Sequence, residues 1–197
     1  MASWKEKKRT ELKEKIYRTA CAQFIKKGFE ATSVDSLVAK IGIAKGTFFI
    51  YFPSKDSILS EWYRRVTLIA LADVKERPRN SACKNILMLG DLLAAGGAET
   101  PQLFVAKTYN KSPIITYQEK ELDADLIEFL HEQICSGIAN NEFKEGIDAS
   151  VFASIINSLL TGIGHEWVIN NCEGNLLEVV ETRLKFLLDS VSIKKIN

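Results

Sequence analysis

Apolar residues recur along this chain at three- and four-residue intervals and nowhere alternate with polar ones as a half-buried strand requires. Leu12, Ile16, Ala20 and Phe24 stand four apart among Lys, Arg and Glu, which predicts a helix over residues 5–27, ended by Gly28. After the connection Glu30–Ser33, where Thr32 or Ser33 is placed to cap, Val34, Leu37, Val38 and Ile41 give a short second helix that Gly42 stops. Lys45–Gly46–Thr47 opens a third, carrying Phe48, Phe49, Ile50, Tyr51 and Phe52, and Pro53–Ser54 breaks it. Ser54 caps a fourth helix from Lys55 to about Lys75. Ile86, Leu87, Leu89, Leu92 and Leu93 predict a helix that Gly96–Gly97 ends. A short helix follows from Pro101 to Tyr109, then a long one over roughly Ser112–Asn140, and two more over Ala149–Asn170 and Leu176–Ile193. The expected fold class is all-α, with about nine helices and no internal repeat.

Composition narrows the field. The 197 residues are 46% hydrophobic and 26% charged, ordinary for a globular protein and too aliphatic for a disordered one. No run of 18 apolar residues exists for a membrane span, and the charged start MASWKEKKRTELKEK is no secretory signal, so a cytoplasmic protein is expected. The cysteines Cys21, Cys83, Cys135 and Cys172 form no CxxC pair; isolated core thiols in a reducing compartment are expected, not a disulfide framework or zinc site. The two histidines, His131 and His165, offer a metal little, and no nucleophile elbow accompanies them, so neither catalytic residues nor cofactors are expected.

Net charge is +1, but the sign is unevenly placed. Residues 1–66 carry fourteen Lys and Arg against seven acidic residues, leaving the rest of the chain acidic overall. A basic head on an acidic body suits a polyanion partner for the head alone. Two short helices joined at a glycine turn match a helix-turn-helix. Phe48 and Phe52 share one face of the third helix and hold the domain together, while Phe49 and Ile50 lie off that face and Tyr51 near its edge, the division a recognition helix needs. Thr47 suits a base edge or a thymine methyl. Lys45, Gly46 and Lys55 suit phosphate at or beside the helix start, and Thr32 and Ser33 suit backbone contacts that set register.

Residues 32–59, TSVDSLVAKIGIAKGTFFIYFPSKDSIL, resemble the DNA-binding signature of the TetR/AcrR family of bacterial transcriptional regulators. Thr32, Leu37, Gly42, Ile43, Gly46, Thr47, Tyr51, Phe52, Lys55, Asp56 and Leu59 match at the family's spacings. Phe49 stands where the family usually has Tyr, and Ala44 where it usually has Ser. The resemblance implies a helix-turn-helix domain over residues 1–54 and a ligand-binding and dimerisation domain over 55–197, with the fourth helix as connector. It implies a homodimer on a two-fold symmetric double-stranded operator, and a ligand pocket in the second domain. By position on the middle helices, Phe104, Tyr109, Tyr117, Phe129 and His165 are candidate pocket residues for an apolar or aromatic effector. Ile155, Leu159, Ile163, Trp167, Val180, Leu184 and Leu187 are candidates for the dimer interface. The expected function is a repressor released from its operator by a small molecule. Alternatives are an activator or ligand-independent regulator with the same head and, remotely, a helical carrier or enzyme.

Overall fold

The computed structural model describes residues 4–109 and 117–194, and of residues 117–121 the backbone alone. Its described residues form α1 (Trp4–Lys27), α2 (Val34–Ile41), α3 (Lys45–Tyr51), α4 (Asp56–Glu76), α5 (Ala82–Glu99), α6 (Pro101–Tyr109), α7 (Tyr117–Ala139), α8 (Ala149–Ile169) and α9 (Leu176–Val191). The protein is all-α, and none of these helices is long and apolar enough to cross a membrane. Two compact units result. The head runs through Tyr63 and takes in the stretch from Thr100; the body holds Arg64–Glu99 and the later chain. The division therefore falls within α4 and gives α6 to the head.

In the head, Ile16, Ala20 and Phe24 of α1 meet Leu37 and Ile41 of α2 and Phe48 of α3 in one buried core, closed by Ile58, Leu59 and Leu103. Fully burying each such side chain is worth about 1.5–3 kcal/mol, which is what holds helices as short as α2 and α3. Trp62 donates its ring N–H to the Thr100 hydroxyl at 3.0 Å and meets the Phe104 ring edge-on, fastening α6 to α4.

The body's core is drawn from five helices. Ala70, Leu71 and Val74 of α4, Ile86 and Leu89 of α5, Leu126, Leu130 and Ile134 of α7, Ile156 of α8, and Leu184 and Leu188 of α9 form one cluster. Helices α5 and α9 come so close that a Cβ on Gly90 would lie 2.8 Å from Leu184. Ser81 caps α5, accepting from the Lys84 N–H at 3.3 Å, and Glu142 reinforces it: its carboxylate accepts from the Ser81 hydroxyl at 2.7 Å and from the backbone N–H of Ala82 at 2.9 Å.

Two sequence expectations are overturned here. Helix α5 does not stop at Gly96–Gly97 but continues to Glu99. These glycines serve packing, not termination: a Cβ on Gly96 would stand 2.5 Å from a Val66 methyl, and Gly97 is buried. The cysteines are also not uniformly core thiols. Cys83 is buried, and burial pushes its thiol pKa up; Cys21 and Cys172 are half-buried, and Cys135 is exposed. All four are free.

Candidate nucleic-acid interface

The head's turns decide where α3 can point. Gly42 ends α2 in the left-handed region at φ 79°, which costs other residues strain, and its N–H donates to Val38 at 2.9 Å. The chain turns within three residues into α3, whose N-cap, Ala44, makes no side-chain bond. Instead Lys45 at the start of α3 pairs with Asp35 in the first turn of α2 at 2.8 Å, both half or more exposed. Such an exposed pair contributes only about 0–1 kcal/mol, so Lys45 is free to change partner. Lys15 on α1 caps α2 from outside, donating to the Ile41 carbonyl at 3.0 Å.

Helix α3 is two-faced. Phe48 and Phe52 are buried in the head, while Phe49 is 42% and Ile50 70% exposed. Thr47 and Tyr51 are half-buried at the margin, and Lys45 and Gly46 are exposed. A Cβ added at Gly46 would meet no atom of the chain. The outward face thus offers two apolar side chains, a hydroxyl, a cation and a bare stretch of backbone, the repertoire for base edges, thymine methyls and phosphate. Ile50 was left out of the candidate set although it is the most exposed side chain of the helix. Its place two residues from both Phe48 and Phe52 marks it as outward in the sequence.

Two candidates are placed otherwise than expected. Thr32 is buried, with its hydroxyl donating to the Gly28 carbonyl at 2.8 Å, so it closes the α1–α2 turn and does not face a phosphate. Ser33 beside it is exposed and caps α2, accepting from the Ser36 N–H at 3.1 Å. Lys55 turns inward too: its ammonium donates to the Phe29 carbonyl at 2.7 Å and sits 4.0 Å above the Phe29 ring. It pins the segment before α4 to the α1–α2 turn, an anchoring role that its position beside α3 concealed.

The sequence model for bacterial regulatory proteins of the tetR family matches residues 16–62, the span that holds α2, α3, the buried part of α1 and the start of α4. Over this span the chain is similar to the DNA-binding domain of the tetR family. The uncharacterised HTH-type regulator YerO of Bacillus subtilis is 32% identical over 80 residues, 39% of this chain and 28% of that protein. A second B. subtilis regulator of this type, YvdT, is 23% identical over 181 residues, 87% of this chain and 90% of that one. Among solved structures, the transcriptional regulator FadR of B. subtilis in complex with stearoyl-CoA shares the fold, with a TM-score of 0.75 at 18% identity over 90% of this chain and 98% of that one. The tetR-family domain thus covers the candidate surface built above from burial alone.

The effector candidates do not gather as the sequence suggested. Phe104 lies in the head against Trp62, and Tyr109 is 63% exposed. Phe129 is buried in the body's core and His165 on α8 is half-buried there; the Tyr117 side chain lies outside the described residues. Of the dimer candidates, Ile163, Trp167, Val180 and Leu184 are buried by their own chain, because the i, i+3, i+4 stripe of α8 and α9 faces inward. Ile155 is exposed, and Leu159 and Leu187 are half-buried. Val151, Ile169 and the 79% exposed Phe186 were missed, because nothing in their spacing separates them from core positions.

Proposed function

We propose that this chain is a sequence-specific transcriptional repressor of the bacterial cytoplasm, binding a two-fold symmetric operator as a homodimer and released by a small apolar effector. The observation that carries the reading is α3, a helix fixed in the head by Phe48 and Phe52 that turns Phe49, Ile50 and Gly46 outward. Two such helices on a two-fold axis read half-sites one helical turn apart. The apolar residues left exposed on α8 and α9, Val151, Ile155 and Phe186, support a dimer built from those helices.

The likeness to a FadR that holds stearoyl-CoA makes long-chain acyl-CoA the first effector class to try. A buried hydroxyl supports a partly polar guest: Thr67 on α4 is fully buried and its Oγ1 has no hydrogen-bond partner among the described residues. Release requires the effector to bind the DNA-competent and incompetent states with different affinity.

The test is anisotropy of the full chain against DNA from upstream of its own gene, against duplexes selected by it from a random pool, and against an unselected duplex of equal length, at two salt concentrations. Preferential, salt-sensitive binding that stearoyl-CoA reverses is expected. Failure to prefer any selected duplex would overturn the reading of the head; preference that no acyl-CoA alters would leave the head and discard the effector class.

A further inference from the structure

The first two turns of α1 bury no side chain among the described residues. Every residue from Trp4 to Glu11 is exposed, and the first buried side chain of the helix is Ile16. Support ends near Lys13, whose ammonium pairs with Glu61 of α4 at 3.7 Å, while Lys15 reaches the carbonyl of Ile41, the last residue of α2. Eight exposed residues at 1.5 Å each make an overhang about 12 Å long.

The side chains change character along it. Ile16 and Ala20 lead the buried stripe of α1. Extended toward the N-terminus at the helical period, the same stripe passes through Arg9 and Lys5, with Lys8 one turn from Lys5 on its flank. Where this face meets protein it is apolar; where it leaves protein it is cationic. With Lys7, the overhang holds four cations against Glu6 and Glu11. The Lys8 ammonium lies 4.1 Å over the Trp4 ring, which steadies a side chain that would otherwise be mobile.

We propose that this overhang is a second DNA contact, in which Lys5, Lys8 and Arg9 bind backbone phosphates flanking the bases reached by α3. The inference rests on reading the head as DNA-binding and adds a region the helix-turn-helix does not supply. Charge complementarity favours DNA, since four cations of the overhang stand on the same compact unit as α3. An anionic membrane is the poorer fit, since an interfacial helix needs a broad apolar face and Trp4 is the only large apolar side chain here.

The experiment compares the full chain with its Lys5→Ala/Lys8→Ala/Arg9→Ala variant on a selected duplex, across a salt series, with and without the flanking base pairs. All three positions are exposed, so the thermal melt should not change. The slope of log K against log salt is expected to become shallower by about 2–3 per protomer, at about 0.9 per phosphate. Affinity should fall at least tenfold while sequence preference stays. On the trimmed duplex the two proteins should bind alike. Equal slopes, or a deficit that persists on the trimmed duplex, would overturn the inference. So would a variant that loses only its binding to phosphatidylserine vesicles. Wild-type chain that prefers no duplex would instead bring down the reading of the head, and this inference with it.

Discussion

A Cβ at Gly46 would meet nothing within 4 Å among the described residues, so packing there does not explain the missing side chain. The prediction separates folding from binding. Gly46→Ala should leave stability unchanged or raise it by up to about 1 kcal/mol, from helix propensity. It should lower affinity for a selected duplex at least tenfold, because the methyl stands where DNA must approach. Paired thermal melts and anisotropy check this, and an alanine variant that binds like wild type would remove Gly46 from the interface. Other residues show the limit of spacing as a guide. Thr32 and Ser33 are adjacent hydroxyls at a helix start, yet one is spent on the Gly28 carbonyl and the other caps α2. Lys55 sits where a phosphate ligand belongs but is held by Phe29. Only the path of the preceding turn decides these cases, and that path is a tertiary fact.

Among the elements, α1 to α4 were legible because each is bounded by a residue with one dominant use. Gly28 and Gly42 take positive φ, and Ser54 and Ser57 cap each other at the start of α4, Ser57 N–H to Ser54 Oγ at 3.2 Å. In α5 the same residue type misled, since glycine serves equally to end a helix and to let a neighbour approach, as Val66 does at Gly96. Helix α5 also carries a carboxylate at some cost. Burial, and then the charge of Glu181 on α9, push the Asp91 pKa up. Between the ordinary carboxyl range and that raised value the folded chain binds more proton than the unfolded one, so this group's contribution favours folding as pH falls through that window and opposes it above. Asp91→Asn should therefore raise the melting temperature at pH 7, with the gap to wild type closing as pH falls toward the ordinary carboxyl range. A gap that does not change with pH would mean that Asp91 is not the source.

For the molecule as a whole, fold class and the family of the head were readable from periodicity and one dense motif. The interior assignments of the body were not. A helix buried against its own neighbours and one buried against a second copy share the same apolar stripe, which is why Ile163, Trp167, Val180 and Leu184 read as interface and lie in the chain's own core. The proposed dimer rests on what remains outside. Ile155→Asp should weaken self-association by about 2–4 kcal/mol, thirtyfold or more, by burying an unpaired charge. Sedimentation velocity over a concentration series would show it, together with loss of operator binding. A variant that associates like wild type would place the interface elsewhere.

The ion pair between Lys45 and Asp35 has a bearing on search. Attraction to arbitrary DNA grows with the number of phosphates a protein neutralises. At about 0–1 kcal/mol the exposed pair yields readily to a phosphate, so in the proposed complex Asp35 only slightly weakens the hold of Lys45 on any DNA, right or wrong. Phe49 and Ile50, exposed on the same helix, are the side chains that the proposed complex rewards only at the right bases. In that complex the choice between sequences falls to the exposed apolar pair of α3 and not to its cation.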